Sequence, residues 1–216
     1  MGARIEIIPA ILVKSGKELI ERVERVKGHV SSVHIDVMDG VFVPNRTVWP
    51  QEIGKLPTSV RYEFHWMVKE PEKWISEMKG DYLHIVHAEA VKDWGAVVEA
   101  CRKSGGRLGI AVSPETPLAR IEPFLGDVSR VLIMSVHPGY DGQRYMPEVE
   151  GKIAELRSKN PDLEIEVDGG INPSTVGRAV AAGADKLAAA SAVYSSPDAA
   201  KAIEEIKNAA KAIRKD

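Results

Sequence analysis

The stretch VHIDVMDG, residues 33–40, places an imidazole and a carboxylate two residues apart inside a β-branched run. A strand alternates its faces with period two. His34, Asp36 and Met38 therefore share one face, and Val33, Ile35 and Val37 share the other. Residues of the same kind stand at other predicted strand ends: His65 and Met67 in YEFHWM, His87 and then Glu89 in HIVHAEA, and Asp168 in EIEVDGG. Two imidazoles and two carboxylates from such a rim of strand ends can complete a four-ligand site for a divalent ion such as Zn2+, Fe2+, Mn2+ or Co2+. Taken singly, each also fits a hydrogen-bonded core histidine or a turn-making aspartate. Spacing alone leaves a metal site, an acid–base site and a structural role open.

A second constellation is rich in glycine and comes late in the chain: HPGYDGQ (137–143), DGGIN (168–172) and AASAV (189–193). Glycine lets backbone approach a ligand closely, and backbone amides at helix N-termini favour phosphate. The three loops together suggest a phosphorylated small molecule. Lys186 invites a Schiff-base reading, but it opens a strand, at the end away from the loops. It is expected in an ionic layer with Glu63 and Glu166, which have inward parity. No D-x-K-x-x-D run and no nucleophile elbow with a Ser-His-Asp set is present.

The elements that must position these residues alternate from end to end. Strands are predicted near Ile5–Leu12, Ser32–Met38, Val60–Met67, Tyr82–His87, Leu108–Val112, Arg130–Val136, Glu164–Asp168 and Lys186–Ala190. Helical stripes fall at Leu19, Val23 and Val26, at Val149, Ile153 and Leu156, and at Ile203, Ile206, Ala210 and Ile213. Asn172-Pro173 and Ser196-Pro197 read as a cap followed by a proline at the first helical position. SGG at 104–106 and AAGAD at 181–185 read as helix ends. Eight βα units without a linker predict a single (β/α)8 TIM barrel spanning residues 1–216, with its site at the C-terminal ends of the strands.

Net charge is −2 without a basic or acidic block, which argues against nucleic-acid and membrane-surface partners. The one cysteine, Cys101, excludes an intrachain disulfide and is expected to be a small packing residue. The N-terminus lacks the pattern of a secretory leader, and no apolar run has the length of a membrane span, so a cytoplasmic protein is expected.

Over nearly its whole length the chain resembles the ribulose-5-phosphate 3-epimerase family. The matching stretches are HIDVMDGVFVPN (34–45), EFHWMV (63–68), VHAEA (86–90), SPETPL (113–118), MSVHPGYDGQRYMPEV (134–149) and EVDGGIN (166–172). The resemblance implies a (β/α)8 barrel with one divalent metal ion per chain, Zn, Fe, Mn or Co. The implied reaction interconverts D-ribulose 5-phosphate and D-xylulose 5-phosphate by inverting C3. The implied ligands are His34, Asp36, His65 and Asp168, with Asp36 and Asp168 as the acid–base pair. Met38, Met67 and Met134 would form an apolar cap. Backbone around Gly139, Gly142, Gly169, Gly170, Ala190 and Ser191 would hold the phosphate. A homo-oligomer is expected.

Three positions depart from the family's usual pattern: PAILV with Ala10 and Val13 where P-S-x-L-S is usual, Ala190 before Ser191 where Gly-Ser is usual, and Asp141 where glycine is usual. Asp141 is expected to point to solvent. Each lost hydrogen bond is worth about 1 kcal/mol, enough to shift sugar preference. A 3-epimerase of a hexulose phosphate such as D-allulose 6-phosphate, and a barrel that binds a sugar phosphate without turnover, are the alternatives.

Overall fold

The computed structural model describes residues 5–213. Eight parallel strands close into one barrel in chain order: β1 (Glu6–Ile11), β2 (Ser32–Met38), β3 (Arg61–Met67), β4 (Leu83–His87), β5 (Arg107–Val112), β6 (Arg130–Met134), β7 (Glu164–Asp168) and β8 (Lys186–Ala189). β8 returns to β1 from Glu6↔Lys186 to Pro9↔Ala189. The helices are α1 (Gly16–Glu24), α2 (Pro50–Ile53), α3 (Glu72–Ile75), α4 (Trp94–Ser104), α5 (Glu150–Lys159), α6 (Val176–Ala182), α7 (Ser191–Tyr194) and α8 (Ala199–Ile213). No helix among the described residues is long and apolar enough to cross a membrane.

Strand parity divides the core. Val33, Ile35 and Val37 of β2, Phe64 and Trp66 of β3, and Ile165 and Val167 of β7 pack outward with Leu19, Val23, Ile153, Leu156, Ile203 and Ile206 of the helices. Inside the barrel, Leu83, Ile85, Ala111, Leu132 and Met134 make an apolar patch on β4–β6, bounded by His87 at the rim and Arg130 at the floor. The opposite half, from β7 round to β3, carries the buried polar groups His34, Asp36, Glu63, His65 and Glu166. Cys101 is buried in α4.

Three sequence expectations are corrected. The unit between β5 and β6 has no α-helix but two 3-10 turns, Leu118–Arg120 and Glu122–Phe124. Pro117 and Pro123 punctuate that segment, and proline lacks the N–H that a helix interior needs. Neither Asn172 nor Ser196 caps a helix directly. α6 starts at Val176 after Thr175, while the Asn172 side chain makes a turn by accepting from Ser174 N–H at 2.8 Å. α8 starts at Ala199, with Lys201 N–H bonded to the Asp198 carboxylate at 2.9 Å. Ile213, counted in the buried stripe, is 43% exposed: it reaches only the edge of α6 at Gly177, in the last turn of α8.

Candidate active site at the barrel rim

The β2–β3 register runs unbroken from Ser32↔Arg61 to Met38↔Met67 and sets Asp36 directly beside His65. β6 and β7 pair Met134 with Asp168. Hydrogen bonds at the strand ends hold these residues in place. Met38 N–H donates to Thr47 Oγ1 at 2.8 Å, and the Thr47 hydroxyl donates to Asp36 O at 2.6 Å. Ser135 N–H and hydroxyl both bond Asp168 O, at 2.7 and 3.0 Å, and fix the end of β7. Asp39, beside the cluster in sequence, is not part of it: one oxygen accepts from Val41 and Phe42 N–H and the other from Lys69 N–H, which ties the loop after β2 to the end of β3.

One ligand atom from each of His34, Asp36, His65 and Asp168 lies within 4.8 Å of all the others. His65 Nδ1 is 3.0 Å from Asp36 Oδ1 and 3.8 Å from Asp168 Oδ2. His34 Nδ1 lies 2.7 Å from Glu63 Oε1 and 3.2 Å from Glu166 Oε1. Those carboxylates draw the ring's N–H to Nδ1. His34 Nε2 sits 3.3 Å from Asp36 Oδ1, but the angle is poor and the atom has no hydrogen-bond partner among the described residues. A buried imidazole with its N–H on a carboxylate and its other nitrogen bare, among carboxylates and a second imidazole, fits a borderline divalent cation.

The two aspartates are driven apart. Burial raises Asp36, but the imidazoles of His34 and His65 beside it outweigh burial and hold the carboxyl well below its usual range. Burial, reinforced by the charge of Asp36, pushes Asp168 up to about 8. Burial lowers His65 to about 4 despite the carboxyl of Asp36 beside it. His34 goes the other way: burial opposes its charge, yet Asp36, Glu166 and Glu63 together raise it well above its usual value. A proton on His34 and a cation at the rim would compete for the same charge.

Above the cluster opens a small cavity of about 40 Å3. Met38, Met67 and Met134 line it, as do Gly139, Gly142, Gly169, Gly170, Ala190 and Ser191. Two of these glycines are required by the backbone. Gly169 (φ 121°) and Gly170 (φ 64°) are left-handed, and a Cβ there would meet Val136 at 2.5 Å and Tyr145 N at 2.4 Å. Asp141 borders the mouth and is exposed to solvent. Ala10 is buried at 1% exposure, paired with His34, and does not line the cavity, whereas Leu12 does. Across the mouth, Asn45 Nδ2 donates to Gly139 O and the Tyr140 hydroxyl to Pro44 O, each at 2.8 Å.

Lys186 lies at the opposite end, with partners other than those expected. Its Nζ bonds Glu6 at 3.0 Å and Glu164 at 3.3 Å. Glu63 and Glu166 belong instead to Arg130, which also reaches Glu164. The longer, forked guanidinium spans the barrel floor where the single ammonium does not. Sequence reasoning missed Arg130, Thr47 and Ser135. Inward parity with Leu132 and Met134 was the available signal for Arg130, and nothing in spacing marks the other two.

Residues 6–194 match the sequence profile described as the ribulose-phosphate 3 epimerase family. The chain is 37% identical over 213 residues to the ribulose-phosphate 3-epimerase of Bacillus subtilis, covering 94% of this chain and 98% of that one. It is also 37% identical over 222 residues to that of Methanocaldococcus jannaschii, covering 98% and 94%. Among solved structures, 3-hexulose-6-phosphate synthase from Salmonella typhimurium superimposes with a TM-score of 0.70 at 15% identity, covering 97% of this chain and 100% of that one. Orotidine 5'-monophosphate decarboxylase from Sulfolobus solfataricus gives 0.64 at 12% identity, covering 98% and 99%. At such identities the structural likeness speaks for the barrel alone.

Proposed function

The chain belongs to the ribulose-phosphate 3-epimerase family, and from that premise we propose that it is an isomerase interconverting D-ribulose 5-phosphate and D-xylulose 5-phosphate with one divalent metal ion. The observation that carries the metal reading is the bare, buried Nε2 of His34 within a closed set of two imidazoles and two carboxylates. His34, His65, Asp36 and Asp168 would hold the ion. When bound, it would supply electrostatic stabilisation of the negative charge that builds on the substrate oxygens as the C3 proton leaves.

The chain's own residues account for the rest. Inversion at C3 removes a proton from one face of the carbon and returns one to the other, which needs two groups that can each act as acid or base. Asp36 and Asp168 rise from β2 and β7, with β8 and β1 between them, and both border the cavity. Their opposite electrostatic settings suit a pair that carries one proton between them. Met38, Met67 and Met134 give that part of the cavity an apolar, adaptable wall that excludes water. The left-handed backbone at Gly169-Gly170 and the turn into α7 at Ala190-Ser191 would take the phosphate through main-chain amides.

The test is hydrogen exchange at C3. Metal-loaded protein given D-ribulose 5-phosphate in heavy water should place deuterium at C3 and form D-xylulose 5-phosphate. Chelation should stop this and restored metal should revive it. Turnover by metal-free protein would remove the metal role. Exchange with D-allulose 6-phosphate but not the pentulose would move the substrate to hexulose phosphates. No exchange with either would leave a binding barrel.

A further inference from the structure

Beside the four-residue cluster runs a second line of polar groups that the reaction as proposed does not use. His87, at the end of β4, is fully buried. Its ring stacks on His65 with centroids 4.9 Å apart, and the two Nε2 atoms are 2.9 Å apart. On its far side, His87 Nδ1 lies 3.1 Å from Glu89 Oε2. Glu89 is anchored by Ser113 N–H at 2.9 Å and by the Thr116 hydroxyl. Lys152 steadies that loop by donating to the carbonyls of Ser113, Pro114 and Thr116.

The line of two rings ends on a carboxylate at each end, Glu89 at 3.1 Å and Asp36 at 3.0 Å, and with one N–H per ring it can serve only one of them. A cation held by His65 Nδ1 and Asp36 would leave Glu89 as the one served. Of two imidazole nitrogens in hydrogen-bond contact, one donates and the other accepts. An ionised carboxylate only accepts, so Glu89 requires the N–H of His87 to be on Nδ1. A ring with one N–H then has a bare Nε2, which accepts from His65 Nε2–H. His65 is left with its lone pair on Nδ1, the atom that faces Asp36 and Asp168. The reverse order would set a His87 lone pair against the Glu89 carboxylate and point a His65 N–H into the cluster.

We propose that Glu89, acting through His87, is a positioning residue that fixes the tautomer of His65 with Nδ1 bare and so strengthens divalent-metal binding at the rim. This rests on the metal reading above. It extends the usual carboxylate–histidine–metal arrangement by one imidazole.

The test is Co2+ binding to the full chain by chelator competition, for wild type, Glu89→Gln and Glu89→Asp, together with 1H–15N spectra of the histidine rings in Zn2+-loaded wild type. Glu89→Gln keeps the size and loses the charge, and its amide can donate to His87 Nδ1, which permits the reversed order. Its Co2+ affinity should fall about 10–100-fold, the usual range for losing an outer partner of a metal ligand. Glu89→Asp keeps the charge and should fall less. A role in packing alone gives the opposite ranking, because aspartate loses a methylene and glutamine does not. Wild-type affinity in Glu89→Gln, or a weaker Glu89→Asp, overturns the inference and leaves the metal reading standing. A wild type that takes up no Co2+ overturns both. The spectra need no variant to fold: they should show N–H at His65 Nε2 and His87 Nδ1, and an N–H at His65 Nδ1 sinks the inference.

Discussion

At the floor of the barrel the charges close on one another, and at the rim they do not. Arg130 is shared by Glu63, Glu164 and Glu166, and Lys186 by Glu6 and Glu164. The rim, one layer up on the same strands, leaves His34 Nε2 without a partner and sets Asp36 and Asp168 in opposite directions. Both clusters have a buried centre, Glu63, Glu166 and Arg130 below and His34, Asp36 and His65 above, and both are rich in carboxylates. Burial of charge therefore does not mark function by itself. What distinguishes the rim is its unmet demand: an imidazole nitrogen without a protein partner and two carboxyls whose charges oppose each other, which a cation would satisfy. The two layers also touch, because Glu63 and Glu166 each divide themselves between Arg130 below and His34 above.

The comparison breaks most easily at the rim. Asp168→Asn should lower C3 exchange by about 10²–10⁴-fold, the usual worth of a positioned acid or base, with an unchanged thermal midpoint. Wild-type exchange in that variant would remove Asp168 from proton transfer. At the floor the effect should fall on stability instead. Arg130→Met strands Glu63 and Glu166 as buried like charges and should cost about 3–5 kcal/mol in urea unfolding, with far less loss of exchange per folded molecule. If Arg130→Met left stability intact and abolished exchange, the floor would belong to the chemistry.

A histidine outside both layers calibrates them. His84 faces the packed wall outside the barrel, where its Nδ1 accepts from Trp66 Nε1–H at 3.1 Å and its Nε2 meets the Ser104 hydroxyl at 3.2 Å. A second proton would set an N–H against the indole N–H, and burial lowers the ring to about 4. The unfolded chain takes up that proton first, so stability is full above about pH 6.5 and declines as pH falls toward 4, by up to about 3 kcal/mol. Urea unfolding of wild type and His84→Gln at both ends of that range should show a smaller loss in the variant. Equal losses would assign the acid sensitivity elsewhere.

Much of this was legible because strand parity is rigid. His34-x-Asp36, Glu63-x-His65 and Glu166-x-Asp168 repeat one period-two pattern on β2, β3 and β7, so each pair shares the inward face. Parity gives a face, but not height, azimuth or reach. That is why parity assigns Glu63 and Glu166 to an ionic layer but cannot tell that their cation is Arg130 and not Lys186. It is also why His87 was visible as a strand-end histidine while its contact with His65 was not. Glu89 lies past the end of β4, where alternation no longer constrains direction. The caps failed for a related reason. Asn172 and Ser196 do bond backbone nearby, but in turns that precede the helices.

The two hydrogen bonds across the mouth have a further consequence for how the molecule tolerates change. Both acceptors, Pro44 O and Gly139 O, belong to the main chain, which every residue supplies. The clasp is thus encoded only by the side chains of Asn45 and Tyr140. At about 1 kcal/mol for each bond, it is cheap to open beside the closed barrel beneath it. Substitutions at those two positions should therefore loosen the mouth while leaving the cluster beneath it untouched.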